Sequence, residues 1–249
     1  WSVSTGDLRL SETPGTLQNM EHPIVLASNN DHKFREMNGI LAALDAPVTL
    51  LRPKDLDFGF DVVEDGQTFG ENAMLKARGL YELLKGVRVP GVTATDSPEA
   101  VAQRVGERFN GRVPAVLADD SGLCVHALND APGIRSARYG EDTDTPPTDD
   151  EGRNDLLLKT LADTDDRSAH YVCNAVLIRT PLSYVQVEAP WHGEVLRERI
   201  TGTTGFGYDP IIWLPEHETS VARIPQEQKD RVSHRAQAVA AIIRAIGIV

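Results

Sequence analysis

The sequence predicts an α/β fold, because short apolar runs alternate with segments of helical periodicity along most of the chain. The first apolar run, residues 24–27, ends in polar residues and is followed by a segment whose apolar residues recur every three or four positions. Two long strand-like segments, 169–179 and 184–200, have no helix between them, so we expect them to pair antiparallel. Helices are expected to pack against the resulting sheet.

The remaining elements follow in chain order. A strand is predicted at 48–51, then an irregular acidic stretch as far as residue 67. The second helix begins at Thr68, where Thr68 and Glu71 have the spacing of a capping box. The segment 86–114 is rich in proline and glycine and is interpreted as an insertion with a short helix after Pro98. A third helix at about 155–161 and a last helix after Ser233 complete the chain.

Length and composition limit the possible classes of protein. A chain of 249 residues fits one large domain or two small lobes sharing a sheet, and we expect a single domain over 21–249 after a flexible extension of residues 1–20. No segment has the character of a membrane span or a signal peptide, so a cytoplasmic location without membrane association is expected. Cys124 and Cys173 lie in apolar segments, which predicts buried thiols in a reducing compartment. The net charge of −12 argues against a nucleic acid polymer as partner.

An acidic pair follows the apolar run at 115–118: Asp119-Asp120-Ser121-Gly122. Neighbouring side chains on a strand point to opposite faces, so we expect the strand to end here and the two carboxylates to converge in a turn. The carboxyl ends of strands bind ligands in open α/β sheets, and carboxylate oxygens suit Mg²⁺ held together with phosphates. The alternative is an ordinary polar turn.

Two further clusters contain candidate phosphate-binding groups. Ser28, Asn29, Asn30 and Lys33 follow the first strand, where backbone N–H groups and the positive helix end favour an anion. The alternative is that Asn30 only caps the helix. In the second cluster, Glu64 lies in a loop with no local structural role, and Lys76 lies one turn beyond Glu71. Lys76 is either a phosphate ligand or a solvated helix lysine.

Two clusters late in the chain suit recognition of a flat ring. Glycines flank Phe206, so its ring is free to stand exposed for stacking, although a turn with a buried phenylalanine would have the same pattern. Lys229, His234 and Arg235 gather at the start of the last helix, where cations oppose the helix dipole. Their placement favours a functional role over a structural one.

Read together, these motifs resemble the inosine triphosphate pyrophosphatase (Ham1-like) family. They occur in one collinear order over about residues 22–246. The matching segments are Ser28-Asn29-Asn30-x-x-Lys33, Glu64-Asp65-Gly66, Thr68-Phe69-x-Glu71-Asn72-Ala73-x-x-Lys76-Ala77, Ala118-Asp119-Asp120-Ser121-Gly122-Leu123, Ala131-Pro132-Gly133-Ile134, Ser136-Ala137-Arg138-Tyr139, Gly205-Phe206-Gly207-Tyr208-Asp209-Pro210, and Lys229 with Ser233-His234-Arg235. The segment 86–114 is longer than the family connection, and Ser28-Asn29 stands where many relatives have Thr-Gly.

The resemblance implies an elongated mixed sheet flanked by helices, two lobes around a central cleft, and a homodimer. It implies Mg²⁺-dependent cleavage of ITP, dITP and XTP to the monophosphate and pyrophosphate. Glu64, Asp119 and Asp120 would hold the metal, with Asp120 orienting or deprotonating the attacking water. Substrate-binding residues carried over by the resemblance are Ser28, Asn29, Asn30, Lys33, Lys76, Ser121, Phe206, Gly207, Tyr208, Asp209, Lys229, His234 and Arg235.

Base choice is expected to depend on hydrogen-bond polarity. Donors from His234 and Arg235 would pair with the 6-oxygen of hypoxanthine or xanthine and oppose the 6-amino group of adenine. Two alternatives remain open from the sequence: a Maf-like pyrophosphatase acting on pyrimidine or modified nucleotides, and a nucleotide sensor that binds without hydrolysis.

Overall fold

The structure, a computed structural model, describes residues 22–200 and 206–249. The extension expected at residues 1–20 lies outside these ranges. The strands in this part of the chain are β1 Pro23–Leu26, β2 Thr49–Leu51, β3 Phe60–Val62, β4 Val92–Ala94, β5 Ala115–Val125, β6 Ser168–Thr180, β7 Ser183–Val195, β8 Ile212–Leu214 and β9 Thr219–Ser220. The helices are α1 Asp31–Ala43, α2 Phe69–Leu84, α3 Pro98–Arg108, α4 Asp150–Thr160, α5 Gln226–Val232 and α6 His234–Ala245.

The main sheet has seven strands in the order β2-β1-β5-β6-β7-β8-β9. β1 pairs parallel with β2 and β5, whereas the pairs from β5 to β9 are antiparallel. The predicted α/β class with a mixed sheet and flanking helices is therefore confirmed, and so is the antiparallel pairing of β6 with β7. β3 and β4 form a separate antiparallel pair.

Helices cover both faces of the sheet. On one face α1 and α6 bury Met37, Ile40 and Val239 against Leu117 of β5. On the other face α2 and α3 pack with Val116 and its neighbours. Side chains alternate between the two faces along β5, so Val116 and Leu117 point to opposite faces. Odd-numbered residues of β5 therefore lie on the face covered by α1 and α6, and even-numbered residues lie on the face covered by α2 and α3. Among the described residues, no helix is both long enough and apolar enough to cross a membrane.

Local capping signals in the sequence correctly identified the starts of α1 and α2. Asn30 caps α1 by accepting from the backbone N–H groups of His32 and Lys33 at 2.8 and 3.1 Å. Thr68 caps α2 by accepting from Glu71 N–H at 3.1 Å. The Glu71 carboxylate accepts from the N–H of Gln67 at 2.6 Å, one residue before the position that a capping box requires.

Several boundaries differ from the prediction. α4 begins at Asp150, five residues before the predicted start, because Asp149 caps it by accepting from Gly152 N–H. β7 ends at Val195, before residue 200. In the segment 86–114, β4 pairs with β3 and α3 packs on α2 through Val101 and Val105.

The largest correction concerns β5. The sequence predicted that this strand would end at Ala118, but it runs without a break to Val125. Its pairing with β6 continues through Asp120 opposite Asn174 and Ser121 opposite Cys173. Asp119 and Asp120 are therefore in mid-strand, with side chains on opposite faces of the sheet, and the predicted turn is wrong.

Gly122 in β5 allows the chain 133–138 to pack directly on the strand. A Cβ added there would come under 3.0 Å from both the carbonyl oxygen of Gly133 and the hydroxyl of Ser136. Ser136 already accepts from Leu123 N–H at 2.9 Å, so this contact has no room to relax. We expect Gly122→Ala to lower the free energy of unfolding by about 1–3 kcal/mol through overpacking, measured by urea denaturation.

A matched control is Gly106→Ala in α3, where an added Cβ would meet nothing within 4 Å. Alanine in a helix interior is favoured over glycine by about 0.5–1 kcal/mol, so this variant should be slightly more stable than the wild type. Equal stability of the two variants would contradict the packing assigned to Gly122.

Candidate active site

An open edge of β5 forms where β1 stops. β1 pairs with β5 only from Ile24 to Leu26, and the last contact is the N–H of Ala27 donating to Leu117 O at 2.8 Å. The chain then leaves the sheet through residues 28–30 into α1. This places Asp119 and Asp120 beside the carboxyl end of a neighbouring parallel strand, the usual position of ligand sites in α/β sheets.

Two polar networks meet at this edge, one on each face of the sheet. The first, called the α6 network, comprises Lys33, Glu36, Asp119, Ser121, Asp209, Lys229 and Arg235. The second, called the α2 network, comprises Glu64, Asn72, Lys76 and Asp120.

Arg235 is the centre of the α6 network and is only 2% exposed. Its Nη1 donates to Glu36, its Nε lies 3.3 Å from Asp119 Oδ2, and its Nη2 donates to Ser121 Oγ at 2.7 Å. A guanidinium has five N–H groups, so these contacts leave it with donors for a ligand. Burial lowers the pKa of Arg235, but Glu36 and Asp119 outweigh burial and raise the pKa above its usual value.

Lys229 joins two buried carboxylates in the same network. Its Nζ lies 3.0 Å from Glu36 Oε1 and 2.8 Å from Asp209 Oδ2. Asp209 also accepts from the hydroxyl of Tyr171 at 3.1 Å and from the N–H of Phe206 at 3.0 Å. Asp209 thus fixes both the lysine and the backbone that carries Phe206.

Asp119 is buried and faces the cations of the α6 network. Lys33 Nζ lies 2.9 Å from its Oδ2. Burial raises the pKa of Asp119, but Lys33 and Arg235 outweigh burial and hold the pKa below its usual range. Its other oxygen, Oδ1, is buried and has no hydrogen-bond partner in the described residues. An unsatisfied buried oxygen of this kind is costly unless a ligand completes it.

The α2 network surrounds a buried ammonium. Lys76 Nζ lies 3.0 Å from Glu64 Oε2 and 3.1 Å from Asp120 Oδ1. Burial lowers the pKa of Lys76, but Asp120, Asp119 and Glu64 outweigh burial and raise it. The lysine is therefore charged, and the carboxylates of Glu64 and Asp120 face it together.

Asn72 had no role in the sequence prediction, although it belongs to the Glu71-Asn72 motif. Its amide donates to Asp120 Oδ2 at 3.1 Å, and its carbonyl accepts from the N–H of Gly66 at 2.9 Å. This side chain ties the loop carrying Glu64 to Asp120. The sequence signal that could have identified Asn72 is its position directly after Glu71, the predicted capping glutamate.

Glu36 was also missed by the sequence analysis. It lies three residues after Lys33 on α1, at the spacing that places both on one helix face. It is 8% exposed and holds both Arg235 and Lys229. The spacing from Lys33 was the only local signal, since its partners lie about 200 residues further along the chain.

The three carboxylates expected to hold a metal do not converge on one point. Glu64 and Asp120 share Lys76 on one face, whereas Asp119 points to the other. Within 22–200 and 206–249, no group of three or more His, Cys, Asp or Glu side chains is placed to hold a metal ion. Any metal at this edge would need oxygen atoms from a ligand in addition to protein carboxylates.

His234 lies next to Arg235 and is buried against aromatic rings. Its ring stacks on Tyr171 with centroids 4.9 Å apart and an angle of 10°. Burial, followed by the charges of Arg235 and Lys229, lowers the pKa of His234 well below its usual value. The imidazole is therefore neutral, and its Nδ1 has no partner in the described part of the chain.

The glycine-flanked segment is described from Phe206 onward. The ring of Phe206 is partly exposed and lies 5.3 Å from Lys229 Nζ and 5.4 Å from the ring of His32. Gly207 has a φ of +62°, and its N–H donates to Asp150 at 2.7 Å. Tyr208 is buried, and its hydroxyl donates to Ser136 O at 2.9 Å, which gives it an anchoring contact.

The remaining predicted residues lie at the end of β1. The N–H of Asn30 donates to Ser28 Oγ at 3.2 Å, and the amide of Asn29 donates to Phe60 O at 2.7 Å. Asn30 uses its side chain as the helix cap, as described above. Among the predicted residues, Ser28, Asn30 and Lys33 thus lie at the positive end of α1, and Lys33 contacts Asp119.

Comparison with known proteins identifies the family of this chain. The profile of the Ham1 family matches residues 24–245. The chain belongs to the Ham1 family. The resemblance predicted from the sequence is thereby confirmed, and the match includes both networks at the open edge of β5.

Two proteins similar to this Ham1-family chain are named for an enzymatic activity. The dITP/XTP pyrophosphatase of Treponema denticola is 36% identical over 223 residues, covering 90% of this chain and 97% of the relative. The dITP/XTP pyrophosphatase of Bordetella parapertussis is 38% identical over 223 residues, covering 88% and 89%.

Solved Ham1 structures share the fold. The Staphylococcus aureus Ham1 protein superposes with a TM-score of 0.66 at 31% identity, covering 90% of this chain and 97% of that protein. A HAM1 protein from Coxiella burnetii has a TM-score of 0.66 at 31% identity, covering 92% and 100%.

Proposed function

We propose that this chain is an Mg²⁺-dependent nucleoside triphosphate pyrophosphohydrolase that converts ITP, dITP and XTP to the monophosphate and pyrophosphate. The observation that carries the proposal is Lys76, which is held between Glu64 and Asp120 at the open edge of β5. Membership of the Ham1 family and the names of the relatives support the same reaction and substrates.

The carboxylate oxygens of the α2 network are suitable ligands for a hard divalent cation. Mg²⁺ is commonly bound by one or two carboxylates together with substrate phosphates and water. Glu64 and Asp120 supply such carboxylates, and the partly exposed Glu64 side chain is accessible to a ligand. Bound there with the triphosphate, Mg²⁺ would stabilise negative charge on the departing pyrophosphate. Asp119 would contribute through its unpartnered Oδ1.

The proposed chemical step is attack of water on the α-phosphorus, with Asp120 orienting the water and accepting its proton. Lys76 and Lys33 hold phosphate oxygens from the two faces of the edge, and the backbone N–H groups at residues 28–30 add donors. Ser121 offers its hydroxyl beside Arg235. The bond that breaks joins the α-phosphorus to the bridging oxygen of the pyrophosphate.

Recognition of the base is assigned to the α6 network and its neighbours. Arg235 keeps unused N–H donors, and the neutral His234 has an unpartnered Nδ1. Both suit a 6-oxygen better than a 6-amino group when the imidazole presents N–H. Phe206 provides a ring surface for the purine, braced by Lys229 and Asp209.

Two finer properties belong to the same proposal. Cys124 and Cys173 are buried thiols without a disulfide, which supports a reducing, cytoplasmic setting. A homodimer is proposed from the family resemblance and is tested by sedimentation equilibrium.

The decisive assay incubates the protein with ITP and MgCl₂ and identifies the products by ion-exchange chromatography. The expected products are IMP and pyrophosphate, with ATP hydrolysed more slowly than ITP. Formation of IDP and inorganic phosphate would refute attack at the α-phosphorus. Faster turnover of pyrimidine nucleotides would favour the Maf-like alternative, and binding without product would favour a sensor.

A further inference from the structure

A cavity lies at the amino end of β1, away from the candidate active site. Its volume is about 470 Å³, within the usual range for small-molecule sites. Its wall includes Ile24 at the start of β1 and Ala115 at the start of β5, which are register partners. The candidate active site begins at Ser28, so roughly four residues, or about 13 Å of strand, separate the two places.

The charge of this cavity differs from that of the chain. Arg108, Arg112 and Arg179 line it together with His22, and no acidic side chain appears among its described lining residues. The whole chain has 37 acidic and 25 basic side chains. A lining with three arginines and, among the described residues, no acidic residue is therefore a local departure from a strongly negative chain, and it would attract an anion.

The three guanidinium groups are not used by the fold. In the described ranges, none of them donates a hydrogen bond or forms an ion pair, in contrast to the buried Arg235. Arg108 ends α3, Arg112 lies four residues later, and Arg179 comes from β6. Three guanidinium groups from separate parts of the chain thus line one cavity without a partner in the described residues. A planar guanidinium matches the geometry of phosphate oxygens.

The lining of the cavity is mixed, with slightly more polar than apolar surface. Its apolar lining residues include Ile24, Val113 and Ile248, and also Phe109, which is mostly buried in the core and only 9% exposed. Exposed cations beside apolar side chains suit a ligand that has both a phosphate chain and an apolar body. The segment 86–114, which the sequence analysis interpreted as an insertion, supplies Arg108, Phe109 and Arg112.

We propose that this cavity is a second binding site, for a free nucleotide carrying a polyphosphate, separate from the candidate active site. The arginines hold the phosphates, and the apolar side chains of the lining contact the base. A nucleic acid polymer is not the expected occupant, since the net charge of −12 opposes a long polyanion.

The test uses ATP, whose 6-amino group the candidate active site is proposed to reject. Photolabelling with 8-azido-ATP, followed by peptide mapping, should place the label within 108–115 or 246–248. Calorimetry should show that the double variant Arg112→Ala/Arg179→Ala binds ATP at least about tenfold more weakly, because two charge-assisted contacts are lost. Within the described ranges these exposed arginines form no side-chain hydrogen bond or ion pair, so the melting temperature should not change.

The matched control is Arg88→Ala/Arg223→Ala, which removes the same charge from two exposed arginines outside the cavity. It should bind ATP as the wild type does. Three outcomes would overturn the proposal: labelling confined to peptides around Phe206, equal loss of affinity in both double variants, or inorganic triphosphate binding as tightly as ATP. The last outcome would show that the apolar side chains of the lining contact no base.

Discussion

The Asp120→Asn variant is expected to hydrolyse ITP about 10²–10⁴-fold more slowly than the wild type, the usual contribution of a positioned general base. Asparagine preserves the shape of the side chain but accepts no proton and offers one oxygen to a cation. Lys76 keeps Glu64 as an ion-pair partner at 3.0 Å, so its buried charge remains compensated. The measurement is the steady-state kcat and KM for ITP, followed by pyrophosphate release.

Asp65→Asn is the matched control, because Asp65 is exposed, adjacent to Glu64 and makes no described side-chain contact. It should retain wild-type turnover. Thermal unfolding of Asp120→Asn should remain close to that of the wild type, which separates loss of chemistry from loss of folding. Turnover of Asp120→Asn equal to that of the wild type would remove Asp120 from the chemical step.

The Glu36→Gln variant is expected to lose about 3 kcal/mol of unfolding free energy, the lower end of the range for breaking a buried ion pair. Glu36 contacts two buried cations, Arg235 and Lys229, and glutamine compensates neither charge. Each cation keeps one other carboxylate, Asp119 or Asp209, which limits the loss. The melting temperature should fall by roughly 6–12 °C, measured by calorimetry.

The control for Glu36→Gln is Glu82→Gln. Glu82 pairs with Lys85 at 2.9 Å on the surface of α2, where both side chains are 30% exposed. Exposed pairs of this type contribute about 0–1 kcal/mol, so the control should unfold close to the wild type. A similar small change in both variants would mean that Glu36 does not hold the two buried cations in place.

The features that the sequence predicted correctly are those set by neighbouring residues. Thr68 and Asn30 cap helices through contacts two to three residues away, and the apolar stripe of α6 follows from its own periodicity. Such signals are complete within a short window of sequence. Arg235 was named as a candidate because a cation at the start of a helix opposes the helix dipole, whereas for Lys76 the sequence left a solvated helix lysine open.

The course of β5 was not predictable in the same way. Asp, Ser and Gly favour turns, but pairing with β6 on one side keeps residues 119–122 extended. The tertiary pairing with β6 therefore overrides the local preference of these residues for a turn. The role of Glu36 was hidden for a similar reason, since its partner Arg235 lies 199 residues away along the chain. A charged residue on a helix is usually solvated, and only the folded chain shows that this one is not.

The unequal lengths of β1 and β5 have a consequence for how such a reaction centre can arise. β1 has four residues and β5 has eleven, so in the described ranges β5 continues past the end of β1 through residues 118–122 without a strand paired on that side. Extending β1 would occupy the free backbone groups with ladder hydrogen bonds and fill the space with main chain. The space for a substrate thus exists because β1 ends early. Side chains on either face of the sheet can change without closing that space.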